Sequence, residues 1–317
     1  MAFEQETIKE ALPKPPTRDE IDLLRSMTEL DPQRPPTCTV IYGNVGTGKT
    51  ISGMEMLWEV VPKDEYILYV GSANGHTSFN NHPKYFGRMP NGKRRVLVMQ
   101  YENQEQLILL AEALRKGRKS GEGNFAKIGG VILDELTTMS IKDAKWILAK
   151  RVEQAEKRGD FKDPYVAALP DHGATYSRTS AVVEAYTTLN MHVMFICHER
   201  IHDKTGQIVP DFGDKTAKAV YKDCHGVFFA DVKTRKPGEK FVSELNFQPS
   251  RRFLAKNRIG GLGATGTIQQ VIEAYFKWGL SDEEGSAMEP LKEEEVANAE
   301  LPKIVTVTET ATVPELT

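Results

Sequence analysis

The sequence predicts an α/β fold with a parallel central sheet and an antiparallel C-terminal extension. Three observations lead there. Short apolar runs alternate with helical patterns, a glycine-rich segment joins the first such run to the first helical pattern, and after Cys224 the runs follow one another with few residues between. The expected strands are Cys38–Tyr42, Tyr66–Val70, Val96–Gln100, Val131–Leu133 and His192–Cys197. The expected helices are Lys49–Val61, Glu105–Lys116, Ile141–Lys157 and Arg178–Leu189. The later runs HGVFFADV, KFVSELNF and RRFLAK read as the antiparallel extension. A final amphipathic helix is expected over about Thr267–Trp278, with Ile268, Val271, Ile272, Tyr275 and Phe276 on one stripe.

These elements place a core over residues 37–280, between an N-terminal arm (1–36) and an acidic tail (281–317). The arm is rich in Pro and charge and holds one short helical pattern, about Asp19 to Leu30, suited to packing on the core or on a neighbouring subunit. The tail carries ten acids and two lysines with few large apolar residues, so it is expected to stay disordered. Its end, Ile304 to Thr312, is Val/Thr-rich and could pair as a strand.

Composition bounds the function classes. Forty per cent apolar and 27% charged residues in 317 exclude a collagen-like, wholly disordered or disulfide-stapled chain. No run of eighteen apolar residues occurs, and the polar start MAFEQETIKEALPKPP lacks a secretory signal. Three scattered cysteines (Cys38, Cys197, Cys224) fit a reduced, cytoplasmic protein. The net charge of −3 hides a surplus of five positive charges over the first 280 residues, compatible with nucleic-acid binding.

Gly43-Asn44-Val45-Gly46-Thr47-Gly48-Lys49-Thr50 satisfies G-x-x-x-x-G-K-[ST], with the apolar TVIY before it and a helical pattern after it. Such a loop wraps backbone N–H groups round a β-phosphate, in dihedrals that a Cβ would obstruct. Lys49 is then the partner of the β- and γ-phosphates of ATP, and Thr50 a ligand of Mg²⁺. The run Val131-Ile132-Leu133-Asp134-Glu135, 84 residues on, sets two carboxylates at the carboxyl end of a buried strand. Asp134 would hold the Mg²⁺ hydration shell and Glu135 polarise the attacking water. A third run, Met191 to Cys197, ends in His198, which reads either as a polar sensor for the γ-phosphate or as a cap of its strand. Cys197-His198 and Cys224-His225 lack the spacing of zinc modules.

These elements together resemble the RecA-type P-loop ATPases. Ala255-Lys256-Asn257-Arg258-Ile259-Gly260 is similar to the K-N-R-F-G segment of RadA-type recombination ATPases and the K-x-R of KaiC-like proteins, departing from the former at Ile259. In such families a basic pair here reaches the nucleotide of the adjacent subunit, which implies that Lys256 and Arg258 act in trans within a homo-oligomer. GNVGTGKT, VILDEL, MFICHER and AKNR in this order resemble phage-encoded RecA-like ATPases of the Sak single-strand-annealing group, over about residues 37–280. The resemblance implies ATP hydrolysis coupled to single-stranded DNA, in the host cytoplasm. RecA and RadA proteins usually carry a catalytic Glu after the strand that follows the phosphate-loop helix. Here that strand runs on as Gly71-Ser72-Ala73-Asn74-Gly75 without an acid, so Glu135, or Glu102 at the end of VLVMQYE, takes the role.

Two segments are candidates for DNA. Glu199 to Asp223 follows the sensor strand, but its five bases are balanced by five acids. From Val232 to Arg258, eight bases (Lys233, Arg235, Lys236, Lys240, Arg251, Arg252, Lys256, Arg258) face two acids. Phe241, Phe247 and Phe253 are interleaved there, and fit the buried face of a sheet better than a base-stacking platform. Two further functions share these motifs: a DNA translocase such as a packaging motor or helicase, and an ATP-dependent assembly switch whose arm and acidic tail contact a protein partner.

Overall fold

The computed structural model describes residues 35–72, 74–80, 82–89, 91–212, 220–232 and 243–278. The helix expected near Asp19–Leu30, the acidic tail, and Lys215, Lys218, Lys233, Arg235, Lys236, Lys240 and Phe241 lie outside these residues.

The first half of the fold alternates strand and helix. β1 (Cys38–Gly43) leads through the glycine-rich loop into α1 (Lys49–Val60), then β2 (Tyr66–Gly71) and β3 (Val96–Gln100). After these come α2 (Gln104–Ser120), β4 (Ile128–Asp134), α3 (Leu136–Lys157), α4 (Leu169–Thr187) and β5 (His192–Cys197). A hairpin of β6 (Glu199–Ile201) and β7 (Ile208–Pro210) precedes β8 (Gly226–Val232), β9 (Ser243–Asn246), β10 (Lys256–Asn257), β11 (Thr265–Gly266) and α5 (Ile268–Lys277). The described main sheet has the order β3-β2-β4-β5-β1-β8-β9-β11, with β10 also paired to β8. From β3 to β8 every pairing is parallel.

Side chains alternate across this sheet and divide the core in two. Ile41, Ile67, Ile132, Met194 and Ile196 pack toward α1 and α5; Val40, Leu68, Val131, Leu133 and Phe195 pack toward α2, α3 and α4. Burial on both faces explains why β1, β2, β4 and β5 read as continuous apolar runs. Local chemistry sets the helix ends. The Asn103 side chain accepts the Gln106 N–H at the start of α2, and Gly121, at φ 69°, ends it. Thr267 caps α5, whose Gln270 side chain accepts the Thr267 N–H in return.

The structure corrects four expectations. HGVFFADV does not begin the antiparallel extension: as β8 it pairs parallel with β1, Thr39 opposite Gly226. The connection from Glu199 to His225 is long enough to carry the chain back to the sheet's amino edge, so the reversal comes only at β9. RRFLAK is mostly irregular, with a parallel bridge from Phe253 to Ile208 and only Lys256 and Asn257 paired to β8. β4 starts three residues before Val131, because Gly129 and Gly130 belong to it. A Cβ on Gly130 would stand 2.7 Å from Val61 Cγ2, so glycine lets α1 lie close at the expense of a visible strand signal. On α5, Phe276 lies at the rim of the stripe and is exposed.

Among the described residues no helix is long and apolar enough to cross a membrane.

His192, at the start of β5, is buried, and its Nδ1 accepts the Thr37 N–H at 3.2 Å. Burial, with Arg118 and His225 nearby, lowers its pKa from 6.5 to about 4. The unfolded chain therefore takes up the proton first, so this stabilisation is complete above pH 6.5 and is lost as pH falls toward 4. The unfolding free energy of the wild type minus that of His192→Asn, from urea titrations, is expected to fall by on the order of 3 kcal/mol between pH 7 and pH 4. A pH-independent difference would contradict a neutral His192.

Candidate nucleotide-binding site

The glycine-rich loop leaves β1 at the carboxyl edge of the sheet. Gly43 must be glycine there, because a Cβ would collide with the Ala230 carbonyl of neighbouring β8. Gly46 and Gly48 have φ of 78° and 82°, the left-handed region that disfavours side chains. Asn44 and Thr47 brace the loop internally: Asn44 Oδ1 accepts the Val45 N–H, and Thr47 Oγ1 donates to the Asn44 carbonyl at 2.9 Å. Val45 stands at the exposed tip. No side chain caps the first turn of α1, so its N–H groups and positive dipole end are available to an anion.

Lys49 is buried inside the curve, its Nζ 2.9 Å from the Gly43 carbonyl and 2.8 Å from that of Asn44. Burial lowers its pKa, and Glu135 Oε1, 3.9 Å away, counters that. Thr50 Oγ1 donates to Asp134 Oδ2 at 2.9 Å, and Tyr69 donates to the same oxygen at 2.6 Å. Asp134 is buried at the end of β4; its desolvation raises the carboxyl pKa despite these two donors. Burial also holds the Tyr69 phenol well above its usual pKa, so it is a donor here.

His198, just past β5, brings its Nε2 within 2.6 Å of Glu135 Oε2. Burial raises the Glu135 carboxyl pKa and lowers that of the His198 imidazole. Thr138 Oγ1 donates to the same Glu135 oxygen at 3.2 Å, and Ser72 Oγ accepts the Glu135 N–H. Thr137 Oγ1 accepts the His198 N–H at 3.0 Å and donates to the Asp211 carbonyl, tying the strand end to the β6–β7 hairpin. His198 therefore projects into the site rather than only capping its strand.

Val45 to Ile51, Ser72, Gly75, Ser78, Asp134, Glu135 and His198 line one cavity of about 430 Å³. It combines a glycine cradle, a helix N-terminus and a buried ammonium, the features that receive a polyphosphate. The Thr50 and Asp134 oxygens suit Mg²⁺, which takes one or two protein ligands and completes its shell with phosphates and water. Among the described residues no three His, Cys, Asp or Glu side chains form an all-protein metal cage.

The strand order puts β5 between β1 and β4, so His198 stands between the phosphate loop and the carboxylate pair. Of the two candidate acids, Glu135 lines the cavity. Glu102 is exposed beyond edge strand β3, with β2, β4 and β5 between that strand and β1. Lys256 and Arg258 lie at the opposite edge of the sheet: Lys256 pairs with Val227, three residues before Ala230, which is level with Gly43. Lys256 Nζ donates to the Tyr221 and Lys222 carbonyls and packs on the Tyr221 ring, whereas Arg258 is exposed. Neither belongs to the site of its own chain. Phe247 is buried and Phe253 stacks on Phe229, 5.1 Å between centroids, so both serve the core.

Sequence reasoning missed Ser72, Tyr69 and Thr137. Only the pairing of β2 with β4 and the packing of α3 beneath β5 bring them in, and no local motif marks them.

Replacing Glu135 by Gln keeps the size and the contact with Thr138 but removes the base. Glu135→Gln is expected to bind ATP within a few-fold of wild type while turnover falls at least a hundredfold, roughly the scale of a lost general base. Equilibrium binding of a fluorescent ATP analogue beside steady-state phosphate release checks this; retained turnover would remove Glu135 from the chemistry.

A family model described as AAA domain matches residues 36–259, more than two thirds of the chain. No curated protein matches. The matched span runs from just before β1 to just past β10 and so holds every side chain of the cavity. With its cradle, carboxylate pair and parallel sheet, the chain belongs to the AAA domain family, whose members are generally P-loop ATPases.

Proposed function

We propose that this protein is a RecA-like ATPase that hydrolyses ATP with Mg²⁺ and acts on single-stranded DNA in phage-type recombination or annealing. The observation that carries the reading is the single cavity holding Lys49, Thr50, Asp134, Glu135 and His198. There the loop N–H groups and Lys49 hold the phosphates, Thr50 and Asp134 orient the hydrated cation, and Glu135 takes a proton from the attacking water. The cation, when bound, neutralises charge on the β- and γ-oxygens.

The coupling to DNA has its support in the chain beyond His198. The β6–β7 hairpin begins at the next residue, and Asp211 N–H donates to the His198 carbonyl at 2.9 Å. A strand seated against the hairpin would thus bear on the group that contacts Glu135. Arg258, exposed at the other edge of the sheet, is suited to a finger reaching the nucleotide of an adjacent copy; Lys256, held by backbone carbonyls, would position that segment. The reading includes a homo-oligomer with nucleotide at its interfaces.

The test is ATP hydrolysis with and without single-stranded DNA, with Lys49→Ala as control. Stimulation of tenfold or more that vanishes in Lys49→Ala is the expected result. Hydrolysis indifferent to single strands but raised by duplex would favour a translocase. ATP-dependent assembly without any DNA response would favour a switch acting on a protein partner. DNA affinity that does not fall with added salt would remove the basic residues from the interface.

A further inference from the structure

We propose that Tyr69 is a positioning residue for the metal-binding side of the site: its hydroxyl fixes the Asp134 carboxylate so that Asp134 and Thr50 together receive the nucleotide-bound Mg²⁺. This rests on the ATP reading above. Tyr69 lies on β2, 65 residues from Asp134 in sequence, and reaches it because Gly71 pairs with Asp134 in the parallel register of β2 and β4. The contact is 2.6 Å, shorter than the 2.9 Å bond from Thr50 to the same oxygen. A carboxylate at a strand end turns freely about two torsions unless donors hold it, and a ligand that must turn on binding is a weaker ligand.

Tyr69 is itself immobile. It is fully buried, its ring meets Phe79 edge-on at 5.0 Å, and His76 flanks it at 6.4 Å. The backbone at Gly75 closes over the contact: a Cβ there would collide with the Tyr69 hydroxyl and stand 2.8 Å from Asp134 Oδ2. Segment 74–80 follows the strand after which the resembled ATPases carry their acid. Here it clamps a tyrosine onto the other carboxylate. That arrangement gives the strand a role in the site although it ends without an acid.

A buried phenol that merely needed a hydrogen-bond partner would look similar, so the test must separate orientation from packing. Tyr69→Phe removes only the hydroxyl and leaves the ring among Phe79 and His76. Gly75→Ala perturbs the same contact from the other side, at a residue with no positive-φ demand. For the full-length wild type and both variants, Mg²⁺ is titrated against a fixed fluorescent ATP analogue, and analogue binding is repeated in EDTA. The expected result is a Mg²⁺ half-saturation raised about tenfold or more in each variant, the usual scale for a lost ligand-orienting contact, with binding in EDTA unchanged in Tyr69→Phe. Turnover should return toward wild type at saturating Mg²⁺. Unchanged Mg²⁺ half-saturation in both variants overturns the proposal, as does an equal loss of binding in EDTA, which marks a structural role. A wild type that binds no nucleotide with or without Mg²⁺ overturns the ATP reading itself, and the proposal with it.

Discussion

The buried carboxylate of Asp134 is the constraint on which the rest of the site depends. Taking a carboxylate out of water is costly unless hydrogen bonds or a cation replace its hydration. Here two hydroxyls do so in part, one from the first turn of α1 and one from β2. Each charged hydrogen bond offsets about 1.5–3 kcal/mol, and the carboxyl pKa still stands raised by burial. The remaining cost is one a divalent cation relieves. The same contacts fix α1 and β2 against β4, so the hydrogen bonds to the carboxylate also hold three elements in register.

A second set of contacts surrounds Glu135, and its logic differs. Lys49 faces the carboxylate from the phosphate loop while His198 Nε2 contacts it from the other side. Thr137 and Thr138, adjacent on the first turn of α3, divide the work: Thr138 holds the carboxylate and Thr137 holds the backbone of His198 and the carbonyl of Asp211. One helical turn thereby links the Glu135 side of the site to the β6–β7 hairpin. A displacement of the hairpin has a short path to the Glu135 carboxylate, through hydrogen bonds and the His198 imidazole.

The two edges of the sheet carry different chemistry. The carboxyl edge gathers the cavity, as parallel sheets do, because loops there follow strand ends and helix N-termini point inward. The amino edge carries Lys256 and Arg258, separated from the phosphate loop by the length of β8. At about 3.3 Å per residue, the three-residue step from Val227, opposite Lys256, to Ala230, opposite Gly43, spans about 10 Å, and Arg258 lies farther back still. There Lys256 donates to the Tyr221 and Lys222 carbonyls, and Arg258 is exposed.

The sequence by itself determined the phosphate loop, the paired acids, a histidine at the end of a buried strand and most of the parallel strands. Each is a local signal: glycines where φ must be positive, apolar runs where a strand is buried on both faces, a polar residue where the run stops. It also left Glu102 open beside Glu135, because both end apolar strands and spacing along the chain says nothing of strand order. Only the tertiary structure separates them in space, by putting β4 near β1, with Glu135 lining the cavity, and β3 at the sheet's edge. Tertiary contacts likewise decided the direction of β8, the hidden start of β4 at Gly129 and Gly130, and the recruitment of Tyr69 and Ser72. The physical reason is common to all four. Pairing register and close approach between distant segments act through space, and a single chain records them only as unremarkable residues: a glycine where a helix presses close, a tyrosine where a carboxylate needs a donor.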